Sequence, residues 1–230
     1  MPDIIVDSLE NVTLIGGGAV DPGQLAQALD LAPVLVAADG GADSALAAGH
    51  VPRAVIGDMD SLSAGARATI PPARIHPVPE QDSTDFEKAL SRIRAPLVLG
   101  LGFMGPRLDH MLAVYHGLLA LPERACLLIG ATQVAFLCPP HLRLESRAGD
   151  LVSAFPLVPL AARSGGLHWA LDGLALGPGQ VIGTSNRATA EMVEIRPDRP
   201  GLLVILPGRA LPEAMRALSA PGCAPWPVRA

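Results

Sequence analysis

Four short polar clusters in the first half of the chain contain the residues best suited to chemistry, and each cluster follows an apolar run. They are Asp39-Gly40-Gly41, Gly57-Asp58-Met59-Asp60-Ser61, Gln81-Asp82-Ser83-Thr84-Asp85-Phe86-Glu87-Lys88 and Arg107-Leu108-Asp109-His110. Ligands of parallel α/β sheets bind where strands end, so clusters in these positions are expected to share one pocket. Converging carboxylates repel one another unless a cation joins them, and oxygen ligands without cysteine or paired histidine suit Mg²⁺. The sequence therefore predicts a pocket for a metal-bound phosphate compound.

The third cluster holds Lys88, which is the only lysine among the 17 lysine and arginine residues. A compact, rotatable ammonium can meet a phosphate oxygen in a way that a planar guanidinium cannot. Asp85 lies three residues earlier, near a predicted helix start where free N–H groups also favour a phosphate. A surface ion pair between Asp85 and Lys88 would explain the same spacing, but the position of Lys88 within the polar cluster favours phosphate binding.

The other acidic and basic residues of these clusters also have ordinary structural explanations. Asp58 and Asp60 could occupy a turn, although the second acidic cluster favours a metal site for them. Asp39 with its two glycines fits a turn as well as a ligand site. Arg107 and Asp109 could pair locally at a helix start. Local sequence alone leaves these alternatives open.

Composition limits the classes of protein that need to be considered. With 230 residues, of which 50% are hydrophobic, the chain can bury a sizeable core, and we expect two domains. The lack of a long apolar stretch and of a basic N-terminal region predicts a cytoplasmic protein with no membrane partner. A net charge of −5 and few aromatic residues argue against a nucleic-acid partner. The scattered Cys126, Cys138 and Cys223 lack disulfide or zinc spacing and are expected to be reduced, mostly buried thiols.

Strand-like and helix-like segments alternate through residues 1–138, which predicts an α/β domain with a Rossmann-like parallel sheet. The predicted strands are Val12–Ile15, Val34–Ala38, Ala54–Ile56, Leu97–Leu101 and Cys126–Ile129, with Ile75–Val78 as an edge strand or connector. The predicted helices are Pro22–Leu31, Ala42–Ala48, Ser63–Thr69, a segment from Thr84, and Leu108–Leu121. Thr84 and Glu87 have the spacing of a capping box, which is the preferred interpretation for Glu87.

Residues 139–230 show short strand-like runs separated by Gly-Pro, Ser-Gly and Asp-Gly pairs. These runs are Leu151–Phe155, His168–Leu171, Ala190–Ile195 and Leu202–Leu206. No helical periodicity lies between them, so we predict a smaller, all-β C-terminal domain. The tail from Pro207 has little pattern and is expected to be partly disordered or to cap the β domain.

In their order, these motifs resemble those of the thiamine pyrophosphokinase family. The similar segments are Ala38–Ala42, Ile56–Ser61, Gln81–Leu90, Gly105–His110, Gly166–Leu171 and Gly183–Asn186. Any one segment is a weak signal, but six in series over nearly the whole chain are specific. The resemblance implies a nucleotide-binding α/β domain over residues 1–138 and a β-sandwich over residues 139–230 that binds thiamine and mediates dimerisation. It also implies a homodimer with its active sites at the subunit interface.

The resemblance implies that the diphosphate of ATP is transferred to the hydroxyl of thiamine, leaving AMP, with Mg²⁺ as cofactor. The implied metal-associated carboxylates are Asp58, Asp60 and Asp85, with Asp39 nearby. The implied contacts to nucleotide phosphates or ribose are Gln81, Thr84, Lys88, Arg107 and Asp109. The implied thiamine contacts are Trp169, Ser185 and Asn186, and stacking on Trp169 would suit a flat cationic ring. The expected catalytic residues are Asp39, Asp58, Asp60, Asp85, Lys88 and Arg107. The sequence does not choose which carboxylate accepts the proton of the thiamine hydroxyl among Asp39, Asp58, Asp60 and Asp109.

Two positions depart from the family pattern. Pro106 precedes Arg107 where the family usually has glycine, so φ is fixed and an N–H that could contact phosphate is removed. Arg187 stands where the family often has glutamate, beside the expected site of a cationic substrate. Unless it points to solvent, Arg187 supports an alternative, a pyrophosphokinase for another alcohol such as a pterin. A non-catalytic sensor of nucleotide or thiamine diphosphate is a third hypothesis, which the full set of carboxylates disfavours.

Overall fold

A computed structural model describes residues 2–228 of the chain, which fold into two units. The N-terminal unit comprises the chain up to Gly117 together with Leu128–Ala131. The C-terminal unit comprises Leu118–Leu127 together with the chain from Thr132 onward. None of the helices in this described part combines the length and hydropathy that a transmembrane span requires.

Strands and helices alternate in the N-terminal unit, as the sequence predicts. Its strands are β1 (Val6–Asp7), β2 (Val12–Ile15), β3 (Val34–Ala38), β4 (Ala54–Gly57), β5 (Ile75–Pro77), β6 (Ile93–Arg94), β7 (Val98–Leu101) and β8 (Cys126–Ile129), which ends in this unit. Its helices are α1 (Pro22–Leu31), α2 (Gly41–Ala47), α3 (Ala64–Thr69), α4 (Asp85–Ser91) and α5 (Leu108–Ala120), which begins in it. The predicted segments are confirmed to within a few residues, whereas the two-residue pair of β1 and β6 was not predicted.

The main sheet of this unit has the strand order β8-β7-β2-β3-β4-β5, and the four pairings from β7 to β5 are parallel. All residues of β2, β4 and β7 are buried, as expected for parallel strands covered on both faces. The polar residue of β2, Thr13, donates its hydroxyl to the carbonyl of Ala32 (2.7 Å) at the end of α1. From β2 the chain runs outward to β5 and then returns to β7 on the opposite side of β2. Ligands of open α/β sheets bind at the carboxyl ends of strands near such a reversal.

Antiparallel pairing dominates the C-terminal unit. Its elements are β9 (Gln133–Leu137), β10 (Leu142–Glu145), β11 (Ser153–Pro156), β12 (Ala162–Gly165), β13 (Met192–Pro197), β14 (Leu202–Pro207) and the helix α6 (Leu211–Ser219). Strand β14 pairs with β9 and β11, and β13 pairs with β10 and β12. The predicted strands near 151–155, 190–195 and 202–206 are confirmed with shifted ends.

The predicted strand at His168–Leu171 is wrong. In the described structure no neighbouring strand pairs with this segment, because the backbone N–H and carbonyl of Trp169 form hydrogen bonds with the side chain of Asn186. An amide side chain can satisfy both backbone groups in place of a neighbouring strand, and such local bonding competes with sheet formation.

The prediction that the C-terminal domain is all-β is also wrong, because Leu211–Ser219 forms the helix α6, although its packing on β10 agrees with the expectation that the tail caps the β domain. Leu211, Ala214 and Met215 are buried at helical spacing, and α6 packs against β10. Pro212 lies in the first helical turn. A backbone N–H there would have no acceptor within the helix, so proline, which lacks this group, is tolerated. This apolar spacing and the early proline are the signals that would have identified the helix.

Candidate active site

The carboxyl ends of β3 and β4 carry the first acidic residues of the site. Asp39 follows β3 with a φ of 41°, and its carbonyl accepts from the N–H of Ala42 (3.1 Å) at the start of α2. Gly57 ends β4, and a Cβ there would lie 2.8 Å from the Cβ of Asp39 and 3.1 Å from an Asp85 carboxylate oxygen. The absence of a side chain at Gly57 is therefore what allows the acidic residues from three loops to approach one another.

Carboxylate oxygens of Asp39, Asp58 and Asp60 lie within 4.8 Å of one another, and we call these residues the acidic trio. Asp39 is buried: its Oδ2 accepts from the N–H of Ser61 (3.0 Å), and its Oδ1 has no hydrogen-bond partner among residues 2–228. Met59 has a φ of 69°, which turns the chain tightly between Asp58 and Asp60. An unpartnered buried carboxylate oxygen beside two other carboxylates is a suitable environment for a cation.

The electrostatic environment of Asp39 disfavours its charged form. Burial raises the pKa of Asp39, the N–H of Ser61 opposes this rise, and the negative charges of Asp85 and Asp60 raise the pKa further. The carboxylates therefore destabilise one another where no positive charge lies between them.

Lys88 is buried, with 2% of its surface exposed, and holds two of the carboxylates. Its Nζ donates to Asp58 Oδ2 (2.8 Å) and to Asp85 Oδ1 (3.4 Å). Burial lowers the pKa of Lys88, but these two carboxylates outweigh that effect and leave the pKa above its ordinary value. The hydrogen bond from Lys88 is in turn the main cause of the lowered pKa of Asp58. The alternative of an ion pair between Asp85 and Lys88 is confirmed, but the pair is not a surface one on the side of Lys88, because the ammonium is buried. The predicted contact of Lys88 with phosphate stays a prediction.

The acidic trio overlaps with the predicted metal set but differs in one member. Asp58 and Asp60 belong to both, Asp39 joins them in the structure, and Asp85 is bonded to Lys88 beside the trio. The resemblance implied Asp39 only near the metal site, and its local sequence fits a turn as well as a ligand site.

Gln81 and Thr84 border the same region with different partners. The Nε2 of Gln81 lies 3.5 Å from Asp58 Oδ2, which is a weak contact. Thr84 and Glu87 form the predicted capping box, since Thr84 Oγ1 accepts from the N–H of Glu87 (3.3 Å) and the Glu87 carboxylate accepts from the N–H of Thr84 (3.0 Å). The structural interpretation of Glu87 is thus confirmed.

Arg107 and Asp109 pair with each other at the start of α5. Both side chains are about two-thirds exposed, and Arg107 Nη2 lies 2.6 Å from Asp109 Oδ2. The hydrogen bond from Arg107 lowers the pKa of Asp109 to about 2. No hydrogen bond or ion pair within residues 2–228 joins them to the acidic trio.

In the C-terminal unit, Asn186 brings Trp169 and Arg187 together. The buried Asn186 side chain accepts from the N–H groups of Trp169 (3.1 Å) and Arg187 (2.9 Å) and donates to the Trp169 carbonyl (2.7 Å). Trp169 is 52% exposed, so it is a surface residue rather than a core residue. Ser185 has a φ of 59°, and its N–H donates to Ser153 Oγ (3.0 Å). Asn186 therefore acts here as a positioning residue for Trp169.

Sequence reasoning missed the residues that support the loop of Asp58 and Asp60. Arg67 of α3 donates to the carbonyl of Met59 (3.2 Å), and Asp43 of α2 accepts from both the N–H and the hydroxyl of Ser63. These contacts join residues 8 and 20 positions apart, beyond the reach of helix or strand periodicity, so no local pattern could have identified them.

Comparison with known proteins adds a family match and a set of similar folds. Residues 25–128 match the family model described as thiamin pyrophosphokinase, catalytic domain. Among curated proteins no sequence match was found. The chain is similar to the solved structures of thiamin pyrophosphokinases from Geobacillus thermodenitrificans (23% identity, TM-score 0.69, 86% of this chain and 96% of that one) and Candida albicans (16%, 0.71, 90% and 97%). It is also similar to thiamine pyrophosphokinase from Bacillus subtilis (20%, 0.69, 86% and 98%). At these identities the structural likeness establishes the fold.

Proposed function

We propose that the chain is a member of the thiamin pyrophosphokinase family and that it transfers the diphosphate of ATP to the hydroxyl oxygen of thiamine, giving AMP and thiamine diphosphate. The observation that carries this proposal is the acidic trio, since all three of its residues lie within the segment that matches the catalytic-domain model. In-line attack of an alcohol on a phosphorus atom requires mainly positioning and charge neutralisation, and an acidic loop cluster beside a buried ammonium suits both.

The residues of the trio fit a hard divalent cation, because they present only carboxylate oxygens and one of these is buried without a partner. We propose that Asp39, Asp58 and Asp60 hold Mg²⁺. Asp85 is proposed as an additional carboxylate at this site, because its charge already raises the pKa of Asp39. When bound, the ion would neutralise these carboxylates and the developing charge on the transferred diphosphate.

The proposed role of Lys88 is to keep Asp58 ionised and oriented and to contribute positive charge near the phosphates. Arg107, Gln81 and Thr84 are proposed to contact the nucleotide. Arg107 can exchange Asp109 for a phosphate at little cost, because an exposed ion pair contributes little stability.

The finer architecture is proposed together with this activity. We propose a Rossmann-like ATP-binding domain over residues 1–138, supported by the reversal of strand order at β2, and a thiamine-binding sandwich over residues 139–230. Trp169 would stack on the thiamine rings, with Ser185 nearby and Asn186 holding the platform. A cytoplasmic homodimer with active sites at the subunit interface completes the proposal.

Incubation of the purified protein with ATP, Mg²⁺ and thiamine, followed by chromatography of the nucleotides, tests the proposal. We expect AMP and thiamine diphosphate in equal amounts, and formation of ADP would refute diphosphate transfer.

One alternative has a specific observation in its favour: Arg187 lies against Trp169, which suits a neutral flat alcohol such as a hydroxymethylpterin. AMP formed with that alcohol and not with thiamine would establish the alternative. Nucleotide binding without turnover would indicate a sensor.

A further inference from the structure

The exposed ring of Trp169 already has a cationic neighbour. The guanidinium carbon of Arg187 lies 5.8 Å from the ring centroid of Trp169, over the ring. The imidazole of His168 meets the same indole edge-on, with centroids 4.4 Å apart and planes at 87°. A guanidinium at this distance from an indole face is attracted by the negative charge density of the ring.

The backbone of Arg187 is held by hydrogen bonds, whereas its side chain is exposed. Its N–H donates to Asn186 Oδ1 (2.9 Å), and its carbonyl accepts from the N–H of His168 (2.8 Å). Across the described residues, the guanidinium makes no hydrogen bond and no ion pair, so the ring of Trp169 is its specific contact. A ligand that stacks on Trp169 can therefore displace the guanidinium, but the charge stays close because the backbone is fixed.

We propose that Arg187 is a specificity-determining residue that occupies the stacking face of Trp169 and weakens the binding of cationic rings relative to neutral ones. The inference rests on the proposed function, because it takes Trp169 as the platform for the acceptor alcohol. The thiazolium ring of thiamine must displace the guanidinium and then lies beside a like charge. A neutral ring of the same shape must also displace Arg187, but it meets no charge repulsion.

Removal of this charge is expected to improve thiamine binding. In the variant Arg187→Gln, the lost cation–π contact and the lost repulsion together predict a KM for thiamine roughly threefold to tenfold lower. Arg187→Glu should lower it further. Isothermal titration with thiamine, in the presence of a non-hydrolysable ATP analogue, should give dissociation constants that change by the same factors, with kcat altered less than KM.

Two measurements separate a charge effect from simple relief of steric blocking. The first uses the thiophene analogue of thiamine, in which carbon replaces the thiazolium nitrogen and the ring is neutral. Arg187→Gln should improve the binding of thiamine more than that of this analogue. The second varies the salt concentration, because added salt screens exposed charges. Salt should lower the KM of the wild-type enzyme for thiamine and raise that of Arg187→Glu.

The matched control is Arg199→Gln, which removes an exposed arginine paired with Asp198 and should leave KM for thiamine unchanged. Unchanged thiamine binding in Arg187→Gln, or equal improvement for thiamine and the neutral analogue, would overturn the inference. The variant Trp169→Ala distinguishes this failure from failure of the proposed function. If Trp169→Ala does not alter KM for thiamine, the assignment of Trp169 as the platform is wrong. If Trp169→Ala raises KM while Arg187→Gln does not lower it, the inference about Arg187 alone is wrong.

Discussion

Replacing Asp39 by asparagine should stabilise the metal-free protein while abolishing turnover. Asp39 is 2% exposed, and its carboxylate lies within 4.8 Å of those of Asp58 and Asp60. Two like charges at 4.8 Å repel by about 3.5 kcal/mol at an effective dielectric constant of 20, and by about 1 kcal/mol if water screens them fully. Asparagine has nearly the same shape and can still accept from the N–H of Ser61. We therefore expect Asp39→Asn to raise the free energy of unfolding by about 1–3 kcal/mol.

The assay is thermal unfolding in EDTA and again with saturating Mg²⁺. For a chain of this size, about 1 kcal/mol corresponds to a shift of about 2–4 °C, so Asp39→Asn should melt roughly 2–12 °C higher in EDTA. Magnesium should stabilise the wild type, by about 2.7 kcal/mol at a concentration 100 times Kd, and the variant much less. Asp82→Asn is the matched control, because Asp82 is exposed and lies outside the acidic trio.

The pH dependence gives this prediction a definite sign. The pKa of Asp39 is raised in the folded protein, so the stability it contributes is fully present below the unfolded value of about 3.9 and is lost as pH rises through the folded pKa. The advantage of Asp39→Asn should therefore be small near pH 3.5, grow as the pH rises towards the folded pKa, and keep its full value above it. A variant that melts below the wild type in EDTA would refute the reasoning. So would a difference in melting temperature between variant and wild type that does not change with pH.

Four further substitutions test other parts of the account. Lys88→Met should abolish turnover and lower the free energy of unfolding by about 1–3 kcal/mol at pH 7, because it leaves the partly exposed carboxylates of Asp58 and Asp85 without their ammonium partner. Since the pKa of Asp58 is lowered in the fold, this loss should shrink below about pH 4 in acid titrations. Thr84→Ala removes the capping box of α4 and should cost about 1 kcal/mol in urea unfolding. Gly41→Ala places a Cβ 2.1 Å from a backbone carbonyl of β2, so we expect about 3 kcal/mol of destabilisation or no soluble protein. Arg107→Gln should leave the melting temperature unchanged and raise KM for ATP about tenfold, and an unchanged KM would remove Arg107 from the nucleotide site.

The sequence predicted best those elements whose signals are local. Val12–Ile15 and Pro22–Leu31 were predicted with the bounds observed, because an apolar run and a helix with Pro22 at its start need no distant partner. The capping box of Thr84 and Glu87 is equally local. The helix at Leu211–Ser219 was missed although its signals, the apolar spacing and the early proline, are also local.

The remaining features depend on residues that are distant in sequence. The burial of Lys88 follows from its contact with Asp58, 30 residues earlier in the chain. The place of Asp39 in the trio depends on the close approach of β3 and β4 at Gly57. The segment at Trp169 lost its predicted strand because the Asn186 side chain bonds its backbone. Such pairings arise only when the chain is folded, so pattern and propensity cannot indicate them.

The central claim is that the acidic trio holds one divalent ion together with ATP. Electron paramagnetic resonance of Mn²⁺ in the presence of a non-hydrolysable ATP analogue measures this binding without relying on turnover. We expect one tightly bound ion per chain in the wild type and in Asp82→Asn, and loss of that ion in a folded Asp60→Ala variant. Undiminished Mn²⁺ binding in Asp60→Ala would contradict the account.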